Sequence, residues 1–222
     1  MVISHRHKYL YFVIPKCGSS TLRHSLEPFT DIGYPVSPLP QHMDLREFWQ
    51  LDDASQMFSE YFKFTFVRNP YDRIYSGFLQ DILASKTWEK WILAKAAIFG
   101  SIGEDFNKYI EEFAATADLM NDWRWITFKP MTAFTNKNRK FSLDWFGKAE
   151  QFSDDIQKLS SICNISIKKV PDRNVNNAQT VGYKYISKYT KTSIKWINET
   201  YADDFATFGY EKLCPYEFPD KL

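Results

Sequence analysis

An apolar run, Tyr9-Leu10-Tyr11-Phe12-Val13-Ile14, passes directly into Pro15-Lys16-Cys17-Gly18-Ser19-Ser20-Thr21 and then into the helix-compatible Leu22-Arg23-His24-Ser25-Leu26. A buried strand, a short loop of small and hydroxyl residues, and a helix start make a phosphate-binding arrangement. The loop N–H groups and the free N–H groups of the first helical turn converge on one anion. Lys16 adds a mobile positive charge, and Ser19, Ser20 and Thr21 add hydroxyl donors. The loop lacks the G-K-[ST] ending of nucleoside-triphosphate loops, and its lysine stands at the start rather than before the helix. A magnesium-dependent kinase or ATPase is therefore disfavoured.

A second segment repeats the design. Phe62-Lys63-Phe64-Thr65-Phe66-Val67 is aromatic and β-branched and reads as a strand. It runs into Arg68-Asn69-Pro70-Tyr71-Asp72-Arg73-Ile74-Tyr75-Ser76, where Asn69 suits a helix N-cap and Pro70 the first helical position. Arg68 then stands at the carboxyl edge of a sheet, where open α/β folds bind ligands. Asn69, Arg73 and Ser76 share roughly one helix face, and an arginine fork with a hydroxyl suits a second phosphate.

Together these segments resemble the PAPS-dependent sulfotransferases, in particular the family-2 carbohydrate type. The P-K-x-x-x-[ST]-[ST] loop of that family corresponds to Pro15–Thr21, and its R-x-P-x-x-R-x-x-S to Arg68–Ser76. Further down, Phe146-Gly147-Lys148-Ala149-Glu150 is similar to a strand ending in G-[RK]-x-E. Val170-Pro171-Asp172-Arg173-Asn174 is similar to a proline-asparagine loop, and Tyr201–Tyr210 to Y-x-x-D-[FW]-x-x-[FL]-G-Y. Lys129-Pro130-Met131 departs from the P-Q often found there. The resemblance implies a P-loop NTPase-like three-layer α/β fold, with a mostly parallel central sheet flanked by helices. It implies PAPS as donor and PAP as product, with no metal. Lys16, Cys17, Gly18, Ser19, Ser20 and Thr21 would hold the 5′-phosphosulfate, and Arg68 and Ser76 the 3′-phosphate. Lys16 would stabilise the leaving phosphate, and the acceptor would be a carbohydrate hydroxyl. Two other functions stay open: a non-catalytic nucleotide-binding relative, or a phosphoryl transferase on a related fold.

Sulfuryl transfer needs a base, and the family often uses histidine or glutamate. His42 stands where many relatives carry a histidine, so it is the candidate, with Glu27 in reserve. His5 and His7 read as surface residues before the first strand, and His24 as structural within the first helix. Arg73 reads as structural, paired with Asp72 or Glu60. Glu150 either touches a ligand or braces its loop.

At 222 residues one domain, 1–222, is expected. A net charge of +1 argues against a nucleic-acid partner. No run is long enough to span a membrane and no leader pattern opens the chain, so a complete cytoplasmic protein is expected. The odd set Cys17, Cys163 and Cys214 shows no metal spacing and reads as reduced. Cys17, beside Lys16, reads as a small spacer. Lys184, Lys188, Lys191 and Lys195 fall at helical spacing and read as a solvated face, alternatively as a surface that steers an anion. Helices are expected at Leu45–Phe58, Tyr71–Ala84, Thr87–Phe99, Glu104–Ala117 and Ser153–Ser161. Short strands are expected at Trp145–Ala149 and Ile165–Val170, and a proline-rich loop over 30–45. This order implies a mostly parallel sheet covered on both sides. The sequence does not set the oligomeric state.

Overall fold

The structure is a computed structural model that describes residues 1–33, 40–86, 105–137, 140–167 and 185–221. It divides into two compact units, Met1–Arg68 with Met131–Val181 and Asn69–Pro130 with Gly182–Leu222. In chain order the strands are β1 (Val2–Ser4), β2 (Tyr9–Phe12), β3 (Phe62–Val67), β4 (Asn136–Lys137), β5 (Lys140–Phe141) and β6 (Trp145–Lys148). The α-helices are α1 (Ser19–Leu26), α2 (Leu45–Trp49), α3 (Ala54–Met57), α4 (Pro70–Lys86) and α5 (Phe106–Lys108), followed by α6 (Met131–Thr135), α7 (Phe152–Ile162), α8 (Lys191–Thr200) and α9 (Ala202–Phe208).

Among the described residues the first unit is an α/β sandwich on a four-stranded sheet of order β1-β2-β3-β6. β2, β3 and β6 run parallel, with Tyr9 opposite Phe62 and Phe64 opposite Trp145; β1 is an antiparallel edge. All four residues of β2 are buried, as a strand covered on both faces requires. On one face Tyr9, Tyr11, Phe64 and Phe66 pack with Leu22 and Leu26 of α1 and with Phe152, Ile156 and Leu159 of α7. On the other, Leu10 and Phe12 meet Leu45 and Phe48 of α2, Ala54 of α3 and Phe58. Each fully buried phenylalanine contributes about 1.5–3 kcal/mol. The Thr65 hydroxyl donates to Phe12 O at 2.7 Å, tying β3 to the end of β2. Gly147 admits no side chain: a Cβ there would lie 2.6 Å from the Phe66 ring.

The second unit packs α4, α8 and α9 with the segments 106–114 and 123–128 around an aromatic core that includes Tyr71, Phe78, Tyr109, Phe128, Tyr201 and Phe205. Buried polar groups fix it. Tyr109 donates to Asp81 at 2.7 Å, and Tyr201 to the carbonyl of Phe128 at 2.7 Å. The Tyr201–Tyr210 motif is thus an anchor for this core, closed by Gly209 at φ +63° after α9.

Several expectations are corrected. The helix expected over Leu45–Phe58 is two short ones, because Asp53 takes a left-handed φ of +59° between them. The segment expected helical to Ala117 continues past α5 as a π-turn (Tyr109–Phe113) and a 3₁₀ turn (Ala114–Thr116). Ile165–Ile167 form no strand, and the rest of that expectation, 168–170, lies outside the described residues. β1 precedes β2, so His5 and His7 occupy a hairpin turn rather than a leading tail, and the His7 Nε2 is buried. The lysine row is not one helix: α8 begins at Lys191 behind a Thr190–Ser193 capping box, Lys188 lies in a preceding 3₁₀ turn, and Lys184 is outside the described residues. The expected helix 87–99, the loop 170–174 and most of the proline-rich segment also fall outside them. Among the described residues no helix is long and apolar enough to cross a membrane.

Candidate functional site

The loop after β2 has two successive turns of left-handed backbone, at Lys16 and Gly18. Lys16, a half-buried residue with a full side chain, is held at φ +66°, and Gly18 follows at φ +75°. An L residue in this region costs about 1–2 kcal/mol, and such strain persists where the surroundings enforce it. Here Pro15 and Cys17 are buried on either side, the Cys17 thiol donates to Pro15 O at 3.6 Å, and its sulfur lies 3.8 Å from the Met131 sulfur. Cys17 thus packs inward.

Gly18 is the N-cap of α1, and its left-handed backbone turns the chain directly into the helix. A Cβ at Gly18 would come within 3.2 Å of the Phe152 ring, so the loop rests closely on α7. No side chain caps α1 and its first turn carries no acid. The positive end of such a helix suits an anion. Ser19 and Thr21 are buried in that first turn and Ser20 is exposed.

Arg68, at the end of β3, reaches the same loop: its Nη1 donates to the carbonyl of Lys16 at 3.4 Å. Directly after it, the Asn69 side chain accepts from the Tyr71 N–H at 3.0 Å and α4 opens at Pro70, as the sequence implied. Ser76 lies in the second unit, half-buried on α4, on the helix face that also carries Asn69 and Arg73. Arg73 is fully buried and donates to Lys129 O at 2.8 Å, which makes it a brace.

His42 comes to the loop from the far side of the proline-rich segment. Its Nδ1 donates to the carbonyl of Val13, two residues before Pro15, at 2.8 Å. Nε2 is thereby the nitrogen left with a lone pair when the ring is neutral. Glu27, by contrast, has a side chain 75 % exposed and meets His24 at 3.4 Å. Glu150 is half-buried in the 3₁₀ turn after β6.

Two residues at this cluster were not anticipated. Arg23 on α1 donates through Nε to Ser19 O at 3.4 Å, and its Nη1 and Nη2 lie 3.0 and 3.2 Å from the side-chain oxygen of Gln41, which is also 3.3 Å from His42 Nε2. The only signal in the sequence was the adjacency of Gln41 to His42. The first unit thus gathers an uncapped helix end, an ammonium, a guanidinium and an imidazole around one loop, a set suited to a charged oxyanion group and to a proton leaving a nearby hydroxyl.

The sequence matches the model described as the sulfotransferase family over residues 1–211. It is similar to carbohydrate sulfotransferase 10 of Danio rerio, 23 % identical over 241 residues. That alignment covers 93 % of this chain and 65 % of the relative, so the chain spans a little less than two thirds of that protein's length. No solved structure matches.

Proposed function

The chain belongs to the sulfotransferase family, and from that premise we propose that it moves the sulfuryl group of PAPS to a hydroxyl of a carbohydrate acceptor. One observation carries this reading: Lys16 is held in strained backbone at the mouth of an uncapped helix, with Arg68 on its own carbonyl. The donor fits that arrangement, because a 5′-phosphosulfate asks for an N–H-lined helix end and a lysine, and a 3′-phosphate for an arginine with a hydroxyl. PAPS supplies a sulfuryl group already activated on a phosphate leaving group.

The Lys16 ammonium and the first-turn N–H groups of α1 hold that phosphate and meet the charge that builds on its bridging oxygen. Cys17, Gly18, Ser19, Ser20 and Thr21 shape the loop, and Arg68 takes the 3′-phosphate. His42 accepts the acceptor's hydroxyl proton at Nε2 while its Nδ1–H stays on Val13 O. The acceptor oxygen forms its bond to sulfur as the bond from sulfur to the phosphate oxygen breaks. Glu27, exposed and turned to His24, is not needed. The carbohydrate class of the acceptor rests on the likeness to carbohydrate sulfotransferase 10.

The test uses PAPS carrying labelled sulfur and a panel of desulfated polysaccharides, oligosaccharides and simple phenols, with and without chelator. Label should move to a saccharide, and chelator should have no effect. Transfer to phenols alone would overturn the acceptor class. Equal affinity of PAP and ADP by calorimetry would overturn the donor.

A further inference from the structure

One oxygen in the first unit is surrounded by groups that it satisfies only in part. The Gln41 carboxamide oxygen lies 3.0 and 3.2 Å from the two terminal nitrogens of Arg23 and 3.3 Å from His42 Nε2. Guanidinium nitrogens only donate. His42 Nδ1 donates to Val13 O at 2.8 Å, so Nε2 of the neutral ring offers a lone pair. A carbonyl oxygen answers the two donors and repels the lone pair. A hydroxyl answers both kinds, because it accepts from the guanidinium and gives its hydrogen to Nε2. The place is shaped for an alcohol, and the amide oxygen is an imperfect occupant.

The occupant can leave while its surroundings stay. Arg23 is held to its own helix by Nε on Ser19 O at 3.4 Å, and the imidazole by Val13 O, and neither bond involves Gln41. Gln41 is half-buried, and among the described residues its amide makes no other hydrogen bond. With that side chain turned aside, an acceptor hydroxyl takes the in-plane position at Nε2. Valence then sets what the two Arg23 nitrogens do. The oxygen that reacts carries its carbon, gives its hydrogen to Nε2 and needs one lone pair for sulfur. The lone pair that remains has room for a single N–H. The guanidinium fork presents a second N–H parallel to the first, and an oxygen on the next carbon of the acceptor is the group it reaches.

We infer that Arg23 is a specificity-determining residue that grips two neighbouring hydroxyls of the acceptor, the one that is sulfated and one vicinal to it, and that Gln41 holds their place until the saccharide enters. The inference rests on the reading of His42 as the base. On entry the amide turns out and the fork closes on the diol. The proton of the reacting hydroxyl passes to Nε2, the oxygen forms its bond to sulfur, and the bond from sulfur to the phosphate oxygen breaks with its electron pair left on the phosphate. Arg23 stays charged throughout, and Gln41 takes no part in the transfer.

The test uses labelled PAPS with a saccharide that accepts label, and with the same saccharide made singly deoxy at each carbon next to the sulfated one. In the wild type, loss of one of these neighbours should lower kcat/KM about ten- to hundredfold, the worth of a hydrogen bond to a charged group. In Arg23→Met the intact saccharide should fall by about the same factor and its deoxy form hardly further. Arg23→Lys, a point charge without the fork, should recover part of the rate but not the preference for the diol. Gln41→Ala should lower the acceptor KM, by about tenfold for an amide that fills the place roughly nine-tenths of the time. No loss in the wild type for any deoxy neighbour overturns the grip without need of a variant, should Arg23→Met fold poorly. Equal losses of Arg23→Met on the intact and deoxy saccharides, or a KM in Gln41→Ala that stays or rises, would overturn the inference as well. His42→Ala separates the two levels: full turnover without the imidazole defeats the reading of the base. Lost turnover in His42→Ala, beside an Arg23→Met enzyme that is indifferent to the neighbouring hydroxyl, defeats the role of Arg23 alone.

Discussion

Replacing Lys16 by glycine and by alanine separates the backbone role of this residue from its charge. Both substitutions delete the ammonium, so both should lower kcat by about 10²–10³, the scale seen when one oxyanion donor is removed. Their stabilities should differ. At φ +66° an alanine keeps the strain of about 1–2 kcal/mol that lysine bears. Glycine escapes it, and gives back about 0.5–1 kcal/mol through its greater freedom in the unfolded chain. Lys16→Gly should therefore be more stable than Lys16→Ala by about 0.5–1 kcal/mol, or roughly 1–4 °C in Tm for a chain of this size. Urea titration followed by circular dichroism at matched protein concentration measures the difference, and labelled-donor turnover confirms the loss of activity. If Lys16→Ala equals or exceeds Lys16→Gly in stability, the left-handed backbone at Lys16 is wrong. If either variant keeps near-normal turnover, the catalytic assignment of the lysine fails at its centre.

Three other substitutions probe different parts of the argument. Arg68→Ala should weaken PAP binding by about 2–5 kcal/mol and leave ADP nearly unaffected; calorimetry showing equal losses for both would remove Arg68 from the 3′-phosphate. Gly147→Ala places a Cβ 2.6 Å from the Phe66 ring and should destabilise the protein by about 1–3 kcal/mol, read as a lower urea midpoint; a neutral result would show that β3 and β6 do not pack as described. The Asp31 carboxylate accepts from the Arg6 and His5 N–H groups and the Ser4 hydroxyl, which lower its pKa, the Arg6 bond first. A lowered folded pKa contributes stability above the unfolded value that fades as pH falls through the folded one. Asp31→Asn should therefore be less stable than wild type at pH 7 and approach it below about pH 4, and a stability gap that persists unchanged at pH 3 would contradict this.

The features legible in the sequence were the local ones. Tyr9–Leu26 and Phe62–Ser76 were read correctly as strand, loop and helix because each carries its own signals: a continuous apolar run, then small residues or an Asn-Pro pair. That these strands run parallel followed from chain order. Features made by distant partners were not legible. Val2–Ser4 is too short to show alternation and becomes a strand only by pairing with β2. The left-handed Lys16 depends on Pro15, Cys17 and the Met131 sulfur, none of which announces a backbone angle. Gln41 and Arg23 meet through a loop that brings residues from two segments together, and no spacing encodes that. The break at Asp53 is a similar case, since nothing in Leu51-Asp52-Asp53 prohibits a continuous helix.

The order in which the sheet is assembled has a consequence during synthesis. β3 is aromatic along its length, and its outer edge is covered only when Trp145–Lys148 arrives beside Phe64–Val67. At translation rates of about 5–20 residues per second, that edge waits several seconds or more on the ribosome with unpaired N–H and C=O groups beside phenylalanines, a template for pairing between nascent chains. A polypeptide stalled or truncated before Trp145 should be captured by chaperones or aggregate, whereas one released after α7 carries the four strands of this sheet that lie among the described residues.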